Sequence, residues 1–298
     1  MKPTLFLHIG THKTASTVIQ DALDKNRDVL RAAGLLFPAT TRGLFPELPK
    51  HDELFQTLVD PDPSAFEAEF AAFMKEYEVS GCKDMLLSEE ALSEPRPEAY
   101  EKLRRFEKHF EIRVICYLRR PDFFLESLWN QRCKEGICKV PVGPFSRSPF
   151  NRERVFYDNI LDWWSGFAKV EVINYETVKD GQILDSFAEV MGYSFADAGN
   201  PVRNASPSAQ CALLMAAMNR QGIRFERRRM IAAFAGDQGK YALGGRLRAD
   251  LLKDLAPHLE RLEQGYGVRF DMEMPDEPKI PLTLLNPDIC AKAVATLL

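Results

Sequence analysis

The 298-residue sequence has no CxxC pair among its six cysteines, Cys82, Cys116, Cys133, Cys138, Cys211 and Cys290. No histidine stands at a zinc-like spacing from any of them. Common zinc and dithiol signatures are therefore missing, and free thiols in a reducing compartment are expected, with a Cys133–Cys138 pairing the alternative their spacing leaves open. There is no apolar run long enough to span a bilayer. The apolar stretch after Lys2 is too short for a secretory signal, so the expectation is a cytoplasmic protein. Without such a signal, Asn204-Ala-Ser206 reads as a chance glycosylation acceptor. Neither sign of charge dominates: 39 Lys and Arg face 43 Asp and Glu, for a net charge of −4. That argues against a surface built broadly for nucleic acid. Repeats and low-complexity segments are absent as well.

What remains is an ordinary globular composition, 45% hydrophobic and 28% charged, in a chain long enough for a sizeable core. Short apolar runs at 4–9, 84–88, 112–118 and 169–174 read as strands. Helical periodicity lies between them, at 18–33, near 53–59, at 65–77 behind a Ser64 cap, and at 97–109, 122–135, 157–167 and 177–191. Strands alternating with helices predict an α/β fold with a parallel central sheet flanked by helices. Beyond residue 200 only helices are expected, at 206–220, 226–235 and 246–266, with Pro257 kinking or restarting the last. One domain is predicted, with an α/β core over about 1–195 and a helical extension over about 200–298. Residues 136–152 read as a long irregular segment. Trp129, Trp163 and Trp164 are expected in the core.

The chemistry concentrates at three predicted strand ends, which a parallel topology brings to one edge. The first is Gly10-Thr-His-Lys-Thr-Ala-Ser-Thr17, a small polar loop between a strand and a helix. Loop amides and the helix N-terminus there form an anion site, because the first N–H groups lack partners and carry the positive end of the dipole. Lys13 adds a charge, and Thr14, Ser16 and Thr17 add hydroxyls. This is not a G-x-x-x-x-G-K-[ST] loop: Gly10 precedes Lys13 by three, and Ala15 stands between Thr14 and Ser16. The second end carries Glu89 and Glu90. The third, after 112–118, carries Arg119 where a magnesium-binding strand would supply an Asp.

These features resemble the sulfotransferases that use 3′-phosphoadenosine 5′-phosphosulfate (PAPS). In that family a strand–loop–helix with K-[ST]-G-[ST]-T or a close variant binds the 5′-phosphosulfate, and Lys13-Thr-Ala-Ser-Thr17 stands in that place. An Arg followed eight positions later by a Ser binds the 3′-phosphate, and Arg119 and Ser127 have that spacing. The resemblance covers about 4–33 and 112–135, and more loosely 150–192. It implies a P-loop-NTPase-like three-layer fold, transfer of a sulfuryl group to a hydroxyl or amine without a metal, and adenosine 3′,5′-bisphosphate as product. His12, Lys13, Thr14, Ala15, Ser16 and Thr17 would hold the phosphosulfate end, and Lys13 would neutralise charge on the leaving phosphate. Arg119 and Ser127 would grip the 3′-phosphate. Glu90, or else Glu89, would be the general base, as in the carbohydrate-modifying branch. Lys240 and Arg246, flanking a glycine-rich turn, would serve as a basic lid.

Each residue also has a plainer reading. Glu89 and Glu90 could cap the next helix, Arg119 could pair with a surface carboxylate, and Arg227-Arg-Arg229 is a solvated helix face. The acceptor is open, a small molecule or a carbohydrate. Lys139, Arg147, Arg152 and Arg154 would suit an acidic sugar and equally a plain surface. A nucleotide or small-molecule kinase and a non-catalytic nucleotide-binding relative are the rival functions.

Overall fold

The computed structural model describes residues 2–40, 49–196, 206–235, 237, 239 and 241–275. Asn204, Lys240 and Cys290 lie outside the described residues. The chain begins with β1 (Thr4–His8), α1 (Ser16–Lys25), α2 (Arg27–Ala32) and the two-residue strand β2 (Leu35–Leu36). Helices α3 (Asp52–Val59) and α4 (Pro63–Ser80) lead to β3 (Asp84–Ser88). A short α5 (Pro97–Tyr100) and a 3₁₀ stretch over Glu101–Lys108 precede β4 (Glu111–Leu118). Next come α6 (Pro121–Lys134), α7 (Val142–Arg147), α8 (Pro149–Glu153), α9 (Tyr157–Ser165), β5 (Lys169–Asn174), α10 (Tyr175–Val178) and α11 (Ile183–Met191). The last described elements are α12 (Ala209–Arg220), α13 (Arg227–Ala233) and α14 (Gly245–Tyr266).

All five strands run parallel in the order β2–β3–β1–β4–β5. The predicted α/β class and parallel sheet are therefore as observed. β1 pairs with β3 on one side and β4 on the other, His8 lying opposite both Ser88 and Ile115. The chain fills one side of β1 and then the other, so strand order reverses at β1. Its carboxyl end is the position at which open α/β sheets bind ligands.

The chain divides into two compact units, neither continuous in sequence. The first comprises Met1–Arg119, Phe156–Pro201 and His258–Phe270 and holds the whole sheet. Its core packs Phe6, Leu86, Ile115 and Tyr117 from the strands against Ile19 and Leu23 of α1 and Ile183 and Phe187 of α11. Each such side chain, fully buried, stabilises the fold by roughly 1.5–3 kcal/mol. The second unit comprises Arg120–Val155, Val202–Pro257 and Asp271–Leu298. Its centre is ionic as well as apolar. Arg120 pairs with Asp122 at 2.8 Å, and buried Arg248 bridges Asp122 and Glu126. Buried charges need such pairing to offset desolvation.

Several local predictions are corrected. The helix predicted over 18–33 breaks at Asn26, whose side-chain amide turns back to the Ala22 carbonyl at 2.8 Å. Asp62, not Ser64, caps α4, accepting from the Ser64 N–H at 2.9 Å with Pro63 in the first turn. Most of the predicted helix 97–109 is 3₁₀, because buried Tyr100, Leu103 and Phe106 are spaced by three, the 3₁₀ period. The 136–152 segment contains α7 and α8 rather than being irregular throughout. Helix α14 continues through Pro257. The strand β2 has no counterpart in the prediction; two residues give no period to read. Trp129 and Trp164 are in the core as expected. Cys82, Cys116, Cys133, Cys138 and Cys211 are buried free thiols.

Candidate active site

The first strand end forms an anion-facing loop. Lys13 and Ala15 hold left-handed backbone, with φ of 71° and 64°, and Thr14 between them does not. Alternation of this kind turns successive N–H groups towards one point, a concavity suited to anions. Ala15 is also the N-cap of α1, which has no side-chain cap and no acidic residue in its first turn. The positive end of the helix is thus left to a ligand or water. The loop is braced from within and from β4. The Thr14 hydroxyl donates to the Thr11 carbonyl at 2.6 Å, and the Thr11 N–H and hydroxyl both reach the Tyr117 carbonyl, at 3.1 and 3.0 Å. Ser16 is buried and Thr17 exposed.

The second strand end brings the carboxylates beside this loop. The Glu89 N–H donates to the His8 carbonyl at 3.0 Å, extending the β1–β3 ladder. Glu89 is 2% exposed; its carboxylate accepts from the Ala91 N–H at 2.9 Å and lies 3.7 Å from the Lys50 ammonium. Burial and the neighbouring Glu90 charge push it up to about 7, against the pull of Lys50. Glu90 faces the loop: its Cβ lies 3.8 Å from the point a Cβ on Gly10 would occupy. Burial raises the Glu90 carboxyl, but His12, Lys50 and a hydrogen bond from Gln20 outweigh it and hold the group below the usual carboxylate value. Across the neutral range Glu90 is therefore the ionised member of the pair, and Glu89 is the one that takes up a proton. His12 lies within 3.2 Å of Glu94.

The third end carries Arg119. Its Nη1 donates to the Lys13 carbonyl at 3.4 Å, its Nε lies 3.5 Å from Glu176, and its guanidinium sits over the Tyr175 ring at 5.5 Å. The Arg119 carbonyl accepts from the Tyr157 hydroxyl at 2.8 Å. Of the predicted site residues, the structure therefore gathers His12 to Thr17, Glu89, Glu90 and Arg119 at one edge of the sheet.

Ser127 and Arg246 belong to the second unit, half-buried on α6 and exposed at the start of α14. In the same unit Glu126 accepts from the Ala242 and Leu243 amides, fixing the chain just before α14. Arg154 is buried with its guanidinium over Phe150, and Arg152 pairs with Asp254, while Lys139 and Arg147 are exposed. The sequence reading missed three neighbours of the carboxylates, His8, Gln20 and Lys50, and gave Ser88, at the same strand end, no role. His8 and Gln20 did carry a signal, each being a polar residue on the buried side of an apolar element.

A scan of known protein-family profiles finds no match. Over 136 residues the chain is 26% identical to an uncharacterised protein of Archaeoglobus fulgidus, which spans 42% of this chain but only 34% of that relative's length. Among solved structures, a sulfotransferase from Alicyclobacillus acidocaldarius superposes with a TM-score of 0.51 over 89% of this chain and 96% of its own, at 14% identity. The likeness establishes a shared sulfotransferase fold. No helix among the described residues is long and apolar enough to cross a membrane.

Proposed function

We propose that this chain moves a sulfuryl group from PAPS to a hydroxyl or amine acceptor. The observation that carries the reading is the loop with left-handed Lys13 and Ala15 leading into the uncapped α1, placed beside both a carboxylate pair and Arg119. The cradle fits a phosphate end, and PAPS when bound supplies the activated sulfuryl group with a nucleotide phosphate as its leaving group.

The chain's own work is positioning and charge. The loop amides and the Lys13 ammonium would hold the 5′ end and stabilise negative charge as it develops on the leaving oxygen. Arg119 would hold the 3′-phosphate, its planar fork being suited to two charge-assisted bonds. Glu90, ionised and turned towards the loop, would accept the acceptor's proton. Glu89, buried against Lys50 and bonded to the Ala91 amide, is the poorer candidate for touching an acceptor.

Calorimetry tests the donor half directly. Adenosine 3′,5′-bisphosphate is expected to bind more tightly than AMP or ATP–magnesium. A preference for ATP–magnesium would replace this reading with a kinase. Bisphosphate binding without turnover of PAPS on any hydroxyl or amine acceptor would favour a non-catalytic relative.

A further inference from the structure

Behind Glu90 lies a buried polar chain that links α1 to β1 and β3. The Gln20 side-chain nitrogen donates to Glu90 Oε2 at 3.1 Å and to Ser88 Oγ at 3.2 Å. Ser88 Oγ in turn lies 2.8 Å from His8 Nδ1. Gln20 is 3% exposed, and His8 and Ser88 are fully buried. A carboxylate can only accept, so the Gln20 amide must present its NH₂ to Glu90 and spends both protons on these two contacts. His8 adds no charge to the chain, because burial holds its ring down at about 4 despite the opposing pull of Glu90.

We propose that Gln20, braced by the Ser88–His8 pair, is a positioning residue that fixes the Glu90 carboxylate as the proton acceptor of the site. With Oε2 held by a neutral donor, Oε1 is the oxygen presented to an acceptor. The bond is made to the ionised form, so it favours the carboxylate without adding a second buried cation. A Lys or Arg in place of Gln20 would also hold Oε2, but would bury a further charge and weaken Glu90 as a base. The other groups facing Glu90 are His12 from the loop, Lys50, Glu89 and Asp52. Gln20 adds to their charges a direct hydrogen bond to the Glu90 carboxylate.

This inference rests on the proposed reaction for its purpose and on the Gln20–Glu90 contact for its substance, and the test separates the two. In protein labelled with ¹³C at the glutamate side-chain carboxyls, with Glu90 assigned through E90Q, the titration of Glu90 is compared between wild type and Gln20→Leu. Loss of a hydrogen bond to a charged group is worth about 1.5–3 kcal/mol, or about tenfold to a hundredfold in an equilibrium. The Glu90 midpoint should therefore move up by about one to two pH units in Gln20→Leu, and Ser88→Ala should move it in the same direction by less. In sulfuryl transfer, kcat should fall and the acidic limb of its pH profile should follow the Glu90 midpoint, with KM for PAPS unchanged. An unmoved midpoint in folded Gln20→Leu and Ser88→Ala overturns the inference, whatever the activity. A midpoint shifted in Gln20→Leu, with no sulfuryl transfer by the wild type, upholds the Gln20 assignment and removes the proposed reaction.

Discussion

Arg119 Nη1 donates to the main-chain carbonyl of Lys13 at 3.4 Å, across 106 residues of sequence. The end of β4 thereby holds the loop after β1 in shape, and Glu176 at 3.5 Å holds the guanidinium in turn. Arg119 thus has a bracing role in addition to the phosphate contact proposed for it. Arg119→Ala should weaken binding of AMP through loss of the brace. It should weaken adenosine 3′,5′-bisphosphate by about a further tenfold or more, the worth of a hydrogen bond to a charged group. Calorimetry with both nucleotides checks this. Equal losses would leave Arg119 as a brace alone.

Ala15 stands at the Gly position of the K-[ST]-G-[ST]-T pattern that this loop resembles, and it adopts the left-handed backbone that Gly takes freely. The loop keeps its shape at a cost of roughly 1–2 kcal/mol for each L-residue so placed. Lys13 carries the same strain, with the side chain proposed to meet the leaving phosphate. Two substitutions should therefore part company. Ala15→Gly should raise stability by up to about 1 kcal/mol, after allowing for the greater freedom of Gly in the unfolded chain, and should preserve turnover. Lys13→Gly should match it in stability yet lose on the order of 10²–10³ in kcat, the cost of removing one charge-stabilising donor. Melting curves and PAPS-dependent transfer read both effects. Retained turnover in Lys13→Gly would remove the role proposed for that lysine.

The parts legible beforehand were those governed by local pattern. The loop between β1 and α1 is readable because an apolar run, a cluster of small polar residues and a helical period follow one another. Parallel topology then carries Glu89, Glu90 and Arg119 to the same edge. The parts that escaped depend on partners far away in sequence. Gln20 meets Ser88 across 68 residues and Glu90 across 70, and His8 meets Ser88 across 80. Nothing in their own neighbourhoods announces those bonds. Whether Ala15 would disturb the loop was also beyond the sequence, since the answer is a backbone angle. The 3₁₀ stretch was in principle readable, because Tyr100, Leu103 and Phe106 repeat every three residues rather than at the mixed spacing of an α-helix.

The carboxylate pair should also leave a mark on stability. In the folded protein Glu89 titrates at about 7 instead of 4.5, chiefly because burial penalises its charge, and next because Glu90 repels it. A folded-state value above the unfolded one means that stability is complete below pH 4.5 and is lost as pH rises through 7. His8 works in the other direction. Its ring titrates at about 4 instead of 6.5, so its contribution is complete above pH 6.5 and is lost as pH falls towards 4. The two slopes oppose one another, and together they leave the wild type with little net pH dependence from this pair. Glu89→Gln removes one of them. The variant should match the wild type at pH 4.5 and exceed it by up to about 3 kcal/mol above pH 7, the worth of the Glu89 shift. Denaturant unfolding of both proteins across that range checks the divergence. A constant difference at every pH would mean that Glu89 is not forced to ionise in a buried site, and its assignment as the strained member of the pair would fail.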